Sequence, residues 1–138
     1  MRPAVRRIRL AGQLAEPISH YTDAVAAAGL LYISGMLPVD AAGELVGDGD
    51  VIRQTEQVLG NVAAVLDATG ASFAEVVRVG VYLRHMADRE AVNTVRRRYF
   101  GDARPASTLV EVSALAHPGA LVEIEAVALL PGSGGQAP

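Results

Sequence analysis

Residues 122–129, VEIEAVAL, alternate strictly. Val122, Ile124, Ala126 and Ala128 fall on one side of an extended chain, and Leu121, Glu123, Glu125, Val127 and Leu129 on the other. Such a strand puts its first side into a core. Its second side carries two carboxylates in apolar company, where charges are tolerated only if solvated, paired or used for chemistry. Upstream, from Arg104, RPASTLVEV supplies another strand, and a loop around His117-Pro118-Gly119 joins the two.

The core this strand demands can be built. The chain has 138 residues, enough for one domain, and 51% of them are hydrophobic. Trp is absent and aromatics make up 4%, so the core is assembled from Val, Leu, Ile and Ala. A single domain is expected over 1–130, with a flexible tail over 131–138 that is rich in Gly. The formal net charge of −3 gives no general attraction to phosphate backbones or anionic lipid, which speaks against a nucleic-acid partner. With no cysteine there are no disulfides, thiolate metal sites or Cys nucleophiles. The N-terminal arginines have no apolar run behind them, and no segment approaches the roughly 20 apolar residues of a membrane span. The expectation is a soluble, cytoplasmic protein.

Along the chain, Val5–Ala11 reads as a strand, and Glu16–Tyr21 as a loop with an exposed Tyr21. Strands over Asp23–Ala28 and Leu30–Ser34 meet at Gly29 as a hairpin, and Ser34-Gly35 ends the second. Gly35 would let a ligand approach the backbone, although on pattern alone a simple strand end is the commoner explanation. Val51–Thr69 is a helix, with Asp50 as N-cap, Gly70 just past its end, and Val51, Thr55, Val58, Leu59, Val62, Val65 and Leu66 on one face. A strand over Val76–Arg84 places Val77, Val79, Val81 and Leu83 on one side, and Arg78, Gly80, Tyr82 and Arg84 on the other. Asp88 opens a second helix, with Val92, Val95 and Tyr99 inward, that runs to about Phe100.

Two amphipathic helices cover one face of a sheet. The other face then carries Arg78, Tyr82, Glu123 and Glu125 beside Gly80, Val127 and Leu129. That mixture predicts packing against copies of the same chain, with charges such as Arg78 and Glu125 paired at or near the interface.

Several stretches together resemble the Rid (YjgF) proteins, the reactive intermediate deaminases: PISHY from Pro17, LYISGMLP from Leu31, QTEQVLGNV from Gln54, Val92-Asn93, PASTLVEV from Pro105 and VEIE from Val122. The resemblance spans roughly residues 16–130. It implies a chorismate-mutase-like α+β fold, a mixed sheet with two helices on one face, and a homotrimer whose sheets form a central barrel. It also implies ligand clefts between subunits. There, enamines and imines such as 2-aminoacrylate would be hydrolysed to a keto acid and ammonia, with no cofactor. By position, Tyr21 corresponds to an aromatic at the cleft mouth, Ser34 and Gly35 to its polar wall, and Asn93 to a helix residue near the pocket. Glu123 corresponds to the acid that positions or protonates the reacting water.

One position departs. The family's deaminases read Pro-Ala-Arg, the arginine clamping the substrate carboxylate, where this chain has Pro105-Ala106-Ser107; two residues on, Leu109 stands where cysteine is common. A hydroxyl does not replace a bidentate guanidinium, which argues against ordinary 2-imino-acid deamination. Arg104 lies nearby, but Pro105 fixes the path between them. Ser107 and Leu109 would suit a dedicated biosynthetic enzyme acting on a larger intermediate. A non-catalytic small-molecule binder on the same trimer is a further alternative, and the resemblance also implies a less favoured one, an endoribonuclease, since some relatives are so described. Arg96-Arg97-Arg98 reads as a solvated helix face, without the interleaved aromatics of an RNA surface. His20, His85 and His117 have no second ligand at zinc-like spacing, so no metal is assigned. The bland reading of Glu123 is a structural partner of Arg78.

Overall fold

The computed structural model describes residues 4–132. In chain order its elements are β1 (Val5–Ile8), β2 (Ala24–Ala27), β3 (Leu30–Met36), α1 (Val51–Ala68), β4 (Val76–Leu83), α2 (Arg89–Phe100), β5 (Ala106–Glu111) and β6 (Val122–Leu129). The strands form one mixed sheet in the order β1-β2-β3-β6-β4-β5, antiparallel throughout except for the parallel pair of β4 and β5. The last strand in sequence is therefore near the middle of the sheet, and β5 is an edge. The two strands of the 104–131 stretch are separated by β4 rather than paired.

On β6, Val122, Ile124, Ala126 and Ala128 are buried, as the alternation requires. With Leu31, Ile33, Val79, Val81 and Leu83 they meet the apolar stripe of α1 (Val58, Leu59, Val62, Val65, Leu66) and Val92 and Val95 of α2. Asp50 caps α1, its carboxylate accepting from the N–H groups of Ile52 and Arg53, both at 3.1 Å. Gly70, at φ +79°, follows the Thr69 C-cap. Gln54 is fully buried yet fully used: its amide donates to the carbonyls of Gly47 (3.0 Å) and Gly119 (3.1 Å) and accepts from Leu121 N–H (2.7 Å), tying the loop before β6 to the helix.

Several expected boundaries shift for local reasons. The first strand stops at Ile8, because the next residues fold into a turn in which Leu10 N–H donates to the Asp23 carboxylate (2.7 Å) and Leu14 N–H to the Leu10 carbonyl (3.0 Å). The β2–β3 turn is Ala28-Gly29, with both residues at positive φ (53° and 79°). Ser34-Gly35 does not end β3. Ile33 faces Ala126 and Met36 faces Ile124, so the two residues together oppose Glu125 in a bulge inside the strand. A second irregularity near the start of β4 buries Val76 and leaves Val77 48% exposed, against the expected placing of Val77 with Val79, Val81 and Leu83. Asp88 precedes α2, but its side chain makes no capping bond, because the chain enters the helix from a 3₁₀ turn at Met86–Asp88. From residue 133 the expected tail lies outside the described residues.

Candidate active site

Glu123 and Glu125 project from β6 onto the face of the sheet that the helices leave open. Each carboxylate lies over a glycine of a neighbouring strand. A Cβ on Gly35 would collide with Glu123 Oε2, and one on Gly80 with Glu125 Oε2. The bulge in β3 therefore opens a seat for the Glu123 carboxylate.

The two glutamates differ in their partners. Glu125 is exposed and accepts a hydrogen bond from the Tyr82 hydroxyl, which raises the pKa of that phenol; burial raises it further. Glu123 is half-buried and, among the described residues, has no hydrogen-bond or ion-pair partner. Burial first, and the neighbouring Glu125 charge second, push its carboxyl above the usual carboxylate range. Within the chain the expected pair of Arg78 with Glu125 is not formed, and neither is one with Glu123. Arg78 Nη2 instead reaches Thr108 Oγ1, on β5, at 3.4 Å.

Tyr21 and Gly35 line one small hollow of about 70 Å³, together with His117. The Ser34 hydroxyl, expected as part of a polar wall, donates to the Thr22 carbonyl at 2.6 Å and fastens the bulge to the segment leading into β2. Tyr21, Ser34, Gly35 and Glu123 thus gather around one end of β3.

Asn93, Ser107 and Leu109 form a separate group. Ser107 pairs with Val79 and Leu109 with Val81, so both lie on the helix side of the edge strand, beneath α2. Asn93 of α2 is linked to this group through Arg96, whose Nη1 donates to Asn93 Oδ1 (3.2 Å) and Nη2 to Ser107 Oγ (3.0 Å). Strand β4 stands between the two groups, which also face opposite sides of the sheet. A single chain does not bring all the predicted site residues together.

Arg96 is the member of this group that sequence reasoning misses. In the sequence the basic run looks like a uniform solvated face. Arg97 and Arg98 are exposed and pair with Glu90 (3.7 Å) and Glu56 (2.6 Å), whereas Arg96 turns inward, half-buried. Its spacing from the inward Val92, four residues earlier, is the available signal. A second cluster has no signal in the sequence: Arg9 pairs with buried Asp23 (2.8 Å) and with Glu16, bracing the segment that carries Tyr21. His20 and His85 are exposed, and His117 Nδ1 accepts from Gly119 N–H at 3.1 Å. Among the described residues no group of three or more His, Asp or Glu side chains could hold a metal ion, and no helix is long and apolar enough to cross a membrane.

The chain is similar to several known proteins. The family model described as endoribonuclease L-PSP matches residues 12–130. A protein named 2-iminobutanoate/2-iminopropanoate deaminase from Capra hircus is 39% identical, covering 94% of this chain and 93% of its own. The 3-aminoacrylate deaminase RutC of Acinetobacter baylyi is 38% identical over 81% of this chain and 88% of its own. A solved Rid-family structure from Yersinia pestis superposes with a TM-score of 0.86 at 36% identity, covering 92% of this chain and all of that one.

Proposed function

This chain belongs to the Rid (YjgF) family, and from that premise we propose that it is a cofactor-independent deaminase hydrolysing an enamine or imine at a cleft between the subunits of a homotrimer. The observation that carries the reading is Glu123: a half-buried carboxyl with no partner among the described residues, seated over Gly35, its pKa raised by burial and by the neighbouring Glu125. A carboxyl in that state can protonate an enamine carbon and then, ionised, orient the water that adds to the C=N carbon. Loss of ammonia leaves the carbonyl product. Names of two relatives, an aminoacrylate deaminase and an iminobutanoate deaminase, support the reaction class.

In this reading Tyr21, Ser34, Gly35 and Glu123 come from one subunit, and Asn93, Ser107 and Leu109 from its neighbour across the edge strand. Two observations favour assembly: the two groups do not meet within one chain, and the open face exposes Tyr32, Val110 and Leu129 around the glutamates. A cytoplasmic location fits a reaction on short-lived metabolites. An endoribonuclease is less well supported, because the basic run divides, with Arg98 on Glu56 and Arg96 on Ser107, instead of presenting one phosphate-tracking surface.

The test is ammonia release by the purified protein from 2-aminoacrylate generated in situ, from 3-aminoacrylate, and from imines without a carboxylate. Release above the spontaneous rate by the wild type, and loss of it in Glu123→Gln, is the expected result. Equal rates with and without protein on every substrate would overturn the proposal.

A further inference from the structure

Arg96 is distinguished by how it is held. Its guanidinium is partly withdrawn from water, and, as for half-buried Arg84, no carboxylate among the described residues lies within ion-pair distance of it. Its two bonds go to neutral acceptors on different elements, Asn93 Oδ1 on α2 and Ser107 Oγ on β5. They hold the planar group in place without neutralising it, and about three of the five N–H donors of a guanidinium stay open. Arg96 also lines a hollow of about 580 Å³, where Arg97 and Arg104 add positive charge and Asp102 supplies the lining carboxylate. A partly desolvated, pre-oriented guanidinium fork facing open space is a receptor for a planar anion. Arg97 already has Glu90, and Arg104 is exposed, so the oriented group is a single fork of one charge, a match for a monoanionic carboxylate.

We propose that Arg96 binds the carboxylate of the substrate, so that this chain acts on an enamine or imine bearing a carboxylate even though position 107 is serine. The small Ser107 side chain is part of the device: it leaves the space Arg96 occupies and supplies the acceptor that orients it. Arg96 binds and positions, while Glu123 handles the proton. The proposal rests on the deaminase reading for its substrate but not for its binding chemistry.

The experiment pairs kinetics with binding. Arg96→Gln and Arg96→Lys are compared with the wild type for turnover of 2-aminoacrylate and of a simple ketimine lacking the carboxylate. Calorimetry then measures binding of pyruvate, the keto acid product, and of inorganic phosphate. The expected result is that Arg96→Gln raises KM for 2-aminoacrylate and weakens pyruvate binding by roughly tenfold to a hundredfold, the range of one charge-assisted contact. Its kcat changes less, the ketimine loses far less than 2-aminoacrylate does, and Arg96→Lys recovers part of the loss. Three results overturn the proposal: pyruvate binding unchanged in Arg96→Gln or absent from the wild type, equal loss on both substrates without rescue by lysine, or phosphate held more tightly than pyruvate through Arg96. Pyruvate binding that depends on Arg96 in a protein that turns over no substrate would sink the deaminase reading and leave the carboxylate site standing. Turnover indifferent to Arg96 would do the reverse.

Discussion

At Glu123 the needs of folding and of the proposed reaction oppose each other. Its pKa is raised in the folded chain, so the native state holds the proton more tightly than the unfolded chain does. The stability this contributes is complete below the ordinary glutamate pKa and is lost as pH rises through the raised value. Glu123→Gln removes the loss. Its Tm should therefore exceed the wild type's at neutral pH, with the gap closing on acidification, as calorimetry across that range would show. The same substitution should lower kcat by about 10²–10⁴, the usual contribution of a positioned acid. Gly35→Ala tests the seat beneath it. The added methyl meets the free end of the Glu123 side chain rather than backbone, so the variant should fold with nearly unchanged stability while the carboxylate is displaced. Turnover should fall on the order of a hundredfold; full activity would show that the seat is irrelevant. The alternation of 122–129 makes both carboxylates legible in the sequence. That Gly35 and Gly80 lie beneath them is not legible there, because it depends on β6 entering between β3 and β4.

Elements with local signals are readable from the chain. Asp50 and Gly70 bracket α1 because capping is a matter of neighbouring residues. Both bulges escape, since an extra residue in a strand is defined by its partner and leaves the apolar run continuous. The strandward turn of Arg96 escapes for a related reason: three successive arginines look alike until β5 lies beside one of them. The hairpin turn between β2 and β3 offers a stability test. Ala28 holds a φ of +53°, a region that costs a residue with a Cβ, and is followed by Gly29 at +79°. Ala28→Asn creates the Asn-Gly pair preferred in such turns and should stabilise the fold by about 0.5–1 kcal/mol in urea titrations. No gain would mean that the turn is not held in this form.

For the whole molecule, the open face is the feature to be explained. Val5, Tyr32, Val77, Val110 and Leu129 are exposed on a chain whose other sheet face is covered by the helices. If that face packs against two copies, light scattering should give three times the 14.4 kDa chain mass. Leu129→Asp should shift the mass toward the monomer and remove activity together with assembly. A variant that remained trimeric and active would place the contact elsewhere. The central claim, that each site is built from Glu123 of one subunit and the β5 edge of another, is tested most directly by mixing two inactive variants. Glu123→Gln disables one half, and Ser107→Trp fills the other. Unfolded and refolded together in equal amounts, they should regain about a quarter of wild-type turnover per site, because one random pairing in four joins an intact half to an intact half. Turnover no greater than that of the two variants refolded separately would contradict it.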